Sequence, residues 1–188
     1  HRQSNVDAWV DSAINDAAPG VDDPDLGAGL AVVLGMVQRR RDIHDAEFAV
    51  ALADQTGRDA GASLGRVEGA GDPVYHLERV LPDVVLPLAH EAPVLLLVLD
   101  GMSAGVGTEV VADVLSRAPG GWAEALLPSH GRRGSAIAVL PSLTEVSRAS
   151  LLSGDLCVGQ QDTERRGYQA LASAHGLVGA ALFHKKDL

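Results

Sequence analysis

The stretch Pro93-Val-Leu-Leu-Leu-Val-Leu-Asp-Gly-Met102 decides the expected architecture. Its six consecutive Val and Leu residues, Val94 to Leu99, fall far short of a membrane span and lack the alternation of a strand with one wet face. They read as a strand of a parallel sheet, buried on both faces. Asp100 then sets a carboxylate at the carboxyl end of that strand, where open α/β sheets collect ligands. Gly101 permits a sharp turn and close backbone approach.

Downstream, apolar runs at Ser135 to Leu140 and Leu177 to Phe183 read as further strands. Between them, Gly107 to Arg117, Glu145 to Leu152 and Thr163 to His175 carry helical spacing. The order β, α, β, α, α, β is that of a parallel sheet with crossovers, so the expected class is α/β.

Upstream, helical signals dominate. Ser4 or Asn5 is placed to cap a helix from Val6 to Ala17, and Pro19-Gly20 and Asp22-Asp23-Pro24 break the chain after it. From Leu26 to Thr56 apolar residues recur every three or four positions, as one amphipathic helix or a helix pair requires. Asp54-Gln-Thr-Gly57 is expected to end it. Glycines 57, 61, 65, 69 and 71 suggest close packing or a loop, and Val74 to Ala89 reads as a short helix that Pro82 and Pro87 extend into a linker. Residues 1–90 are therefore read as a helical region and 91–188 as the α/β part.

Composition narrows the function. A chain of 188 residues with 46% apolar residues and mean hydropathy +0.10 can bury a core. Aromatic residues make up only 3%, too few for a base-stacking platform. A net charge of −10 and a pI near 5.0 oppose broad adhesion to DNA or anionic membrane. Arg39-Arg40-Arg41, Arg132-Arg133 and Lys185-Lys186 read as solvated positive spots. The one cysteine, Cys157, excludes an internal disulfide or thiolate zinc cluster and suits a reducing cytoplasm. With no membrane-length apolar run, a soluble cytoplasmic protein is expected. The opening His1-Arg-Gln-Ser and the closing Phe183-His-Lys-Lys-Asp-Leu188 suggest a piece of a longer protein.

Two positions carry the chemistry. Asp100 reads either as a hard oxygen ligand for a divalent metal or as the cap of the next helix. In Pro141-Ser-Leu-Thr-Glu-Val-Ser-Arg148, Thr144 sits where a strand turns into a helix, near the positive end that favours phosphate. By spacing alone it reads more readily as an ordinary helix start. Arg148 has the geometry to grip a phosphate oxygen or to pair with Glu145 one turn back, and Ser147 and Ser150 have the spacing to face the same crevice. His130, His175 and His184 show no metal-ligand spacing and read as surface or supporting residues. A P-loop is absent, and Gly101-Met-Ser-Ala-Gly-Val-Gly107 is only a loose dinucleotide turn. No nucleophile elbow is expected, and Asp100-Gly-Met lacks the second aspartate of a phosphoaspartate hydrolase.

Val-Leu-Asp100-Gly-Met together with Pro141-Ser-Leu-Thr-Glu-Val-Ser-Arg-Ala-Ser-Leu-Leu-Ser-Gly154 resembles the alkaline phosphatase superfamily. Within it, Leu140-Pro-Ser-Leu-Thr-Glu-Val-Ser-Arg148 and Phe183-His-Lys-Lys-Asp-Leu188 resemble the PglZ family of bacterial BREX phage-defence systems, and the Ala-rich upstream region resembles its type 2 version. The resemblance spans about residues 92–188. It implies a helical N-terminal region followed by the first half of an alkaline-phosphatase-like α/β/α domain with a mostly parallel sheet. It also implies a metal-dependent hydrolase of phosphate esters, phosphatase or phosphodiesterase. Other BREX proteins are its implied partners, and a nucleotide or nucleic acid is among the substrates left open. On that resemblance Asp100 is a metal ligand, and Thr144 is both metal-bound and the nucleophile. Arg148 and Ser147 contact substrate. Two divalent ions are implied, zinc in most of the superfamily, with manganese or magnesium as alternatives. The other ligands come from later in superfamily chains, so residues 1–188 alone are expected to be inactive. The rival expectation is a catalytically silent scaffold subunit of a BREX complex.

Overall fold

The structure, a computed structural model, describes residues 8–59, 74–117, 121–126 and 133–187. Ser4, Asn5, His130, Arg132 and the glycines at 61, 65, 69 and 71 lie outside them. The chain folds as two units, residues 1–64 with 101–124, and residues 65–100 with 125–188.

The first unit is helical. Asp23 accepts from the backbone N–H groups of Asp25 and Leu26, both at 3.0 Å. With Pro24 in the first turn, where its missing N–H costs nothing, it starts α2 at Pro24–Asp59. The residues read as a breaker are thus a helix cap, and the stretch read as one helix or two is a single helix of 36 residues. Its apolar residues Val32, Val33, Met36, Ile43 and Phe48 stay exposed. α1, Ala8–Ala17, packs on α4, Ala104–Arg117.

The second unit holds the sheet and the core. β1, Val74–His76, pairs in parallel with β2, Ser135–Ile137, in the register Val74 to Ser135, Tyr75 to Ala136 and His76 to Ile137. Val74–His76 is thus a strand where a helix is expected, its β-branched and aromatic residues overriding the local helical pattern. A 3₁₀ turn at Leu77–Arg79, a π-helical turn at Leu81–Val85 and α3, Leu86–Glu91, follow. Pro82 and Pro87 each sit in the first positions of a new turn and continue the structure instead of opening a linker.

α5, Thr144–Ser153, and α6, Gln161–Ala174, pack together over the turns after β1. Leu81, Leu151 and Leu152 form the core, lined by Leu77, Val80, Val85, Tyr168, Leu171 and Leu182. Gly154 closes α5 at φ 71°, and its N–H donates to the Ser150 carbonyl. The fully buried Ser150 hydroxyl donates to the Cys157 carbonyl and accepts from the Cys157 N–H, both at 3.1 Å, tying down the loop between the helices.

Two expected strands do not form. Val94 to Leu99 runs between α3 and Asp100 without a ladder partner, and all six residues are exposed, Leu95 at 81% and Leu97 at 70%. Apolar composition favours burial, but a strand's N–H and C=O groups need a neighbour, and the described residues supply none here. Leu177 to Phe183 is likewise irregular. The architecture is mainly helical with a two-stranded parallel sheet.

Candidate functional site

Thr144 is the first residue of α5, and the flanking Leu143 makes no side-chain cap bond. The Thr144 hydroxyl instead donates to Asp100 Oδ2 at 2.8 Å, across 44 residues of sequence. Asp100 does not cap the next helix either, because the Ser103 hydroxyl accepts from the Val106 N–H at 3.2 Å and does so. Thr144 does start a helix, but neither its side chain nor that of Asp100 caps one, and the two side chains meet on an exposed surface.

Arg148, one turn along α5, brings its guanidinium to 3.8 Å from the same Asp100 oxygen. Its stronger partner is Glu164 of α6, whose Oε1 accepts from Arg148 Nε at 2.9 Å. Glu164 is wholly buried, and its second oxygen lies 2.6 Å from His184 Nε2. His184 is itself buried, and its Nδ1 has no hydrogen-bond partner, the nearest acid oxygen being Asp187 Oδ2 at 3.7 Å. Asp187 accepts from the His184 backbone N–H at 2.8 Å and pairs with Arg165. That backbone bond first, and Arg165 second, hold the Asp187 carboxyl below the ordinary aspartate range.

An open cavity of about 400 Å³ adjoins these groups, lined by Thr144, Glu145, Arg148, Gly159, Gln160, Gln161, Asp162 and Lys186. The first turns of α5 and α6 border it, with two cations and two acids in the wall. Ser147, expected to contact substrate, donates to the Val139 carbonyl at 3.2 Å and is not in that wall. Arg148 pairs with Glu164 where Glu145 was an expected partner.

Lys186 and Glu164 are the residues that sequence reading passes over. Lys186 reads as a solvated charge. Glu164 leaves a usable signal: with Tyr168, Leu171 and Ala172 it falls on the helical spacing of the core-facing stripe of α6, and an acid on such a stripe marks a paired, buried charge.

Gly101-Met-Ser-Ala-Gly105 also spells Gly-x-Ser-x-Gly, the pattern of a nucleophile elbow. An elbow requires a strained serine. No described non-glycine residue has positive φ, and the Ser103 hydroxyl is spent as a helix cap, so the pattern carries no elbow here.

The donor chemistry of the pair suits a divalent cation. Oxygen ligands about 2.1 Å from one octahedral ion lie about 3 Å apart, close to the 2.8 Å between Thr144 Oγ1 and Asp100 Oδ2. Among the described residues no group of three or more His, Cys, Asp or Glu side chains gathers as a metal site.

Comparison with family models, with curated proteins and with solved structures returns no match. The functional reading therefore rests on the residues themselves. No helix among the described residues is long and apolar enough to cross a membrane.

Proposed function

We propose that this chain carries the leading part of a metal-dependent phosphate-ester hydrolase of the PglZ type, in an alkaline-phosphatase-like α/β/α domain serving bacterial BREX defence. The observation that supports it is the bond between Thr144 and Asp100, which joins the two motifs of the resemblance at 2.8 Å.

In this reading Thr144 is the nucleophile. Its proton is directed at Asp100 Oδ2, which leaves the lone pairs of Oγ1 to approach phosphorus. The new bond from Oγ1 to phosphorus forms as the ester oxygen departs with its electron pair, and water then cleaves the phosphothreonine. Divalent ions, when bound, supply the charge that makes a threonine hydroxyl nucleophilic and stabilises the leaving oxygen. Asp100 and Thr144 are the residues that would hold them. Arg148 and Lys186 face the non-bridging oxygens from the cavity wall.

The test is hydrolysis of a chromogenic phosphomonoester and a phosphodiester by the full-length protein, with zinc, manganese or magnesium added in turn and Thr144→Ala as control. Metal-dependent turnover that disappears in the variant supports the reading. Equal rates in parent and variant with every metal sink it and favour the scaffold alternative.

A further inference from the structure

Arg148 is held by a carboxylate that sees no solvent, and that arrangement has a purpose beyond joining two helices. A guanidinium has five N–H donors in a rigid plane. Holding Nε on Glu164 Oε1 at 2.9 Å restricts how that plane can turn, and leaves NH1 and NH2 unclaimed by Glu164 on a residue that lines the cavity, with NH1 3.8 Å from Asp100. An arginine free to swing would lose side-chain entropy each time it gripped an anion, and one already locked has lost it in folding.

Glu164 is locked in its turn. A buried carboxylate is costly unless both oxygens are engaged, and here Arg148 takes one while His184 takes the other at 2.6 Å. His184 is kept in place by the turn that follows it, where the Asp187 N–H donates to the His184 carbonyl at 2.8 Å. Lys186, in that same turn, lines the cavity. One buried carboxylate thereby ties both cations of the cavity wall to α6.

We propose that Glu164 is a positioning residue, braced by His184, that presets Arg148 to bind a phosphate-class oxyanion in the cavity beside Thr144. The identity of the oxyanion rests on the phosphate-ester reading above. The positioning itself is tested by binding, without turnover.

Inorganic phosphate is titrated calorimetrically into the full-length protein supplied with magnesium, comparing parent, Glu164→Gln, Arg148→Ala and the double variant. Phosphate affinity is expected to fall about tenfold in Glu164→Gln and at least as far in Arg148→Ala. The double variant should bind no worse than Arg148→Ala alone, because Glu164 acts through Arg148. If Glu164→Gln does not fold, Glu164→Asp takes its place, drawing the acceptor back by about one bond length, 1.5 Å, with the charge kept. A folded Glu164 variant that binds phosphate as the parent does, or a loss that persists in full without Arg148, would overturn the proposal and leave a helix-to-helix staple. A parent that hydrolyses no ester but binds phosphate, with the affinity lost in Glu164→Gln only while Arg148 is present, contradicts the hydrolase reading and supports the positioning role. A parent that hydrolyses esters through Thr144, yet whose phosphate affinity is indifferent to Arg148, upholds the reading and overturns this proposal. A parent with no phosphate binding overturns this proposal, and the hydrolase reading is then decided by turnover alone.

Discussion

Gly167 of α6 lies against Ser153 of α5 so closely that a Cβ built on Gly167 would stand 3.0 Å from the Ser153 Cα and closer still to its side chain. The contact sets how near the two helices come, and with it the reach from Arg148 to Glu164. Gly167→Ala is therefore expected to cost about 1–3 kcal/mol by overpacking, although alanine is the better helix former. Urea unfolding would measure it, with Ser153→Gly expected to recover part of the loss. An unchanged or higher midpoint would mean that the helices sit further apart.

Thr144 is exposed and its one described bond is to a carboxylate that is also exposed, so its removal leaves no buried group unpaired. Thr144→Ala in the full-length protein should leave stability within about 0.5 kcal/mol and lower ester hydrolysis by about a thousandfold or more. Thermal melts and steady-state rates check the two halves separately. Phage defence that survives the substitution intact would point to the scaffold.

The helices were legible because their signals are local: α4, α5 and α6 fall where Gly107 to Arg117, Glu145 to Leu152 and Thr163 to His175 place them, to within a few residues. Strands depend on neighbours. Val94 to Leu99 has the composition of a central strand and forms none, while Val74–His76, a short run before two prolines, finds β2 and pairs. At the site, Thr144 does begin a helix as its place in the sequence suggests, whereas Asp100 reads as the end of a strand that does not form, and meets Thr144 from an irregular segment. Lys186 was not legible, because a lysine in a charged run looks the same whether it faces bulk water or a cavity.

Asp187 offers a pH test. Its carboxyl is held below the ordinary range in the folded chain, chiefly by the His184 backbone N–H and then by Arg165. A carboxyl depressed on folding stabilises fully above the unfolded aspartate value of about 3.9, and that contribution fades as pH falls through the lower folded value. The difference in melting temperature between parent and Asp187→Asn should therefore stay constant from about pH 8 to about pH 5 and shrink below about pH 4. A gap that widens in acid would show the opposite shift.

Leu95 and Leu97 place two large apolar side chains in solvent at 81% and 70% exposure, within an irregular run whose backbone has no ladder partner among the described residues. A run of exposed apolar side chains on an unpaired segment promotes association between copies. In the 188-residue chain, Leu95→Lys with Leu97→Lys should shift sedimentation toward monomer. Because neither side chain is packed, the melting transition should stay within about 0.5 kcal/mol of the parent. A large loss of stability with no change in sedimentation would mean that this segment is buried within a single chain in solution. The pair of measurements separates the two cases, since association between chains depends on protein concentration and burial within one chain does not.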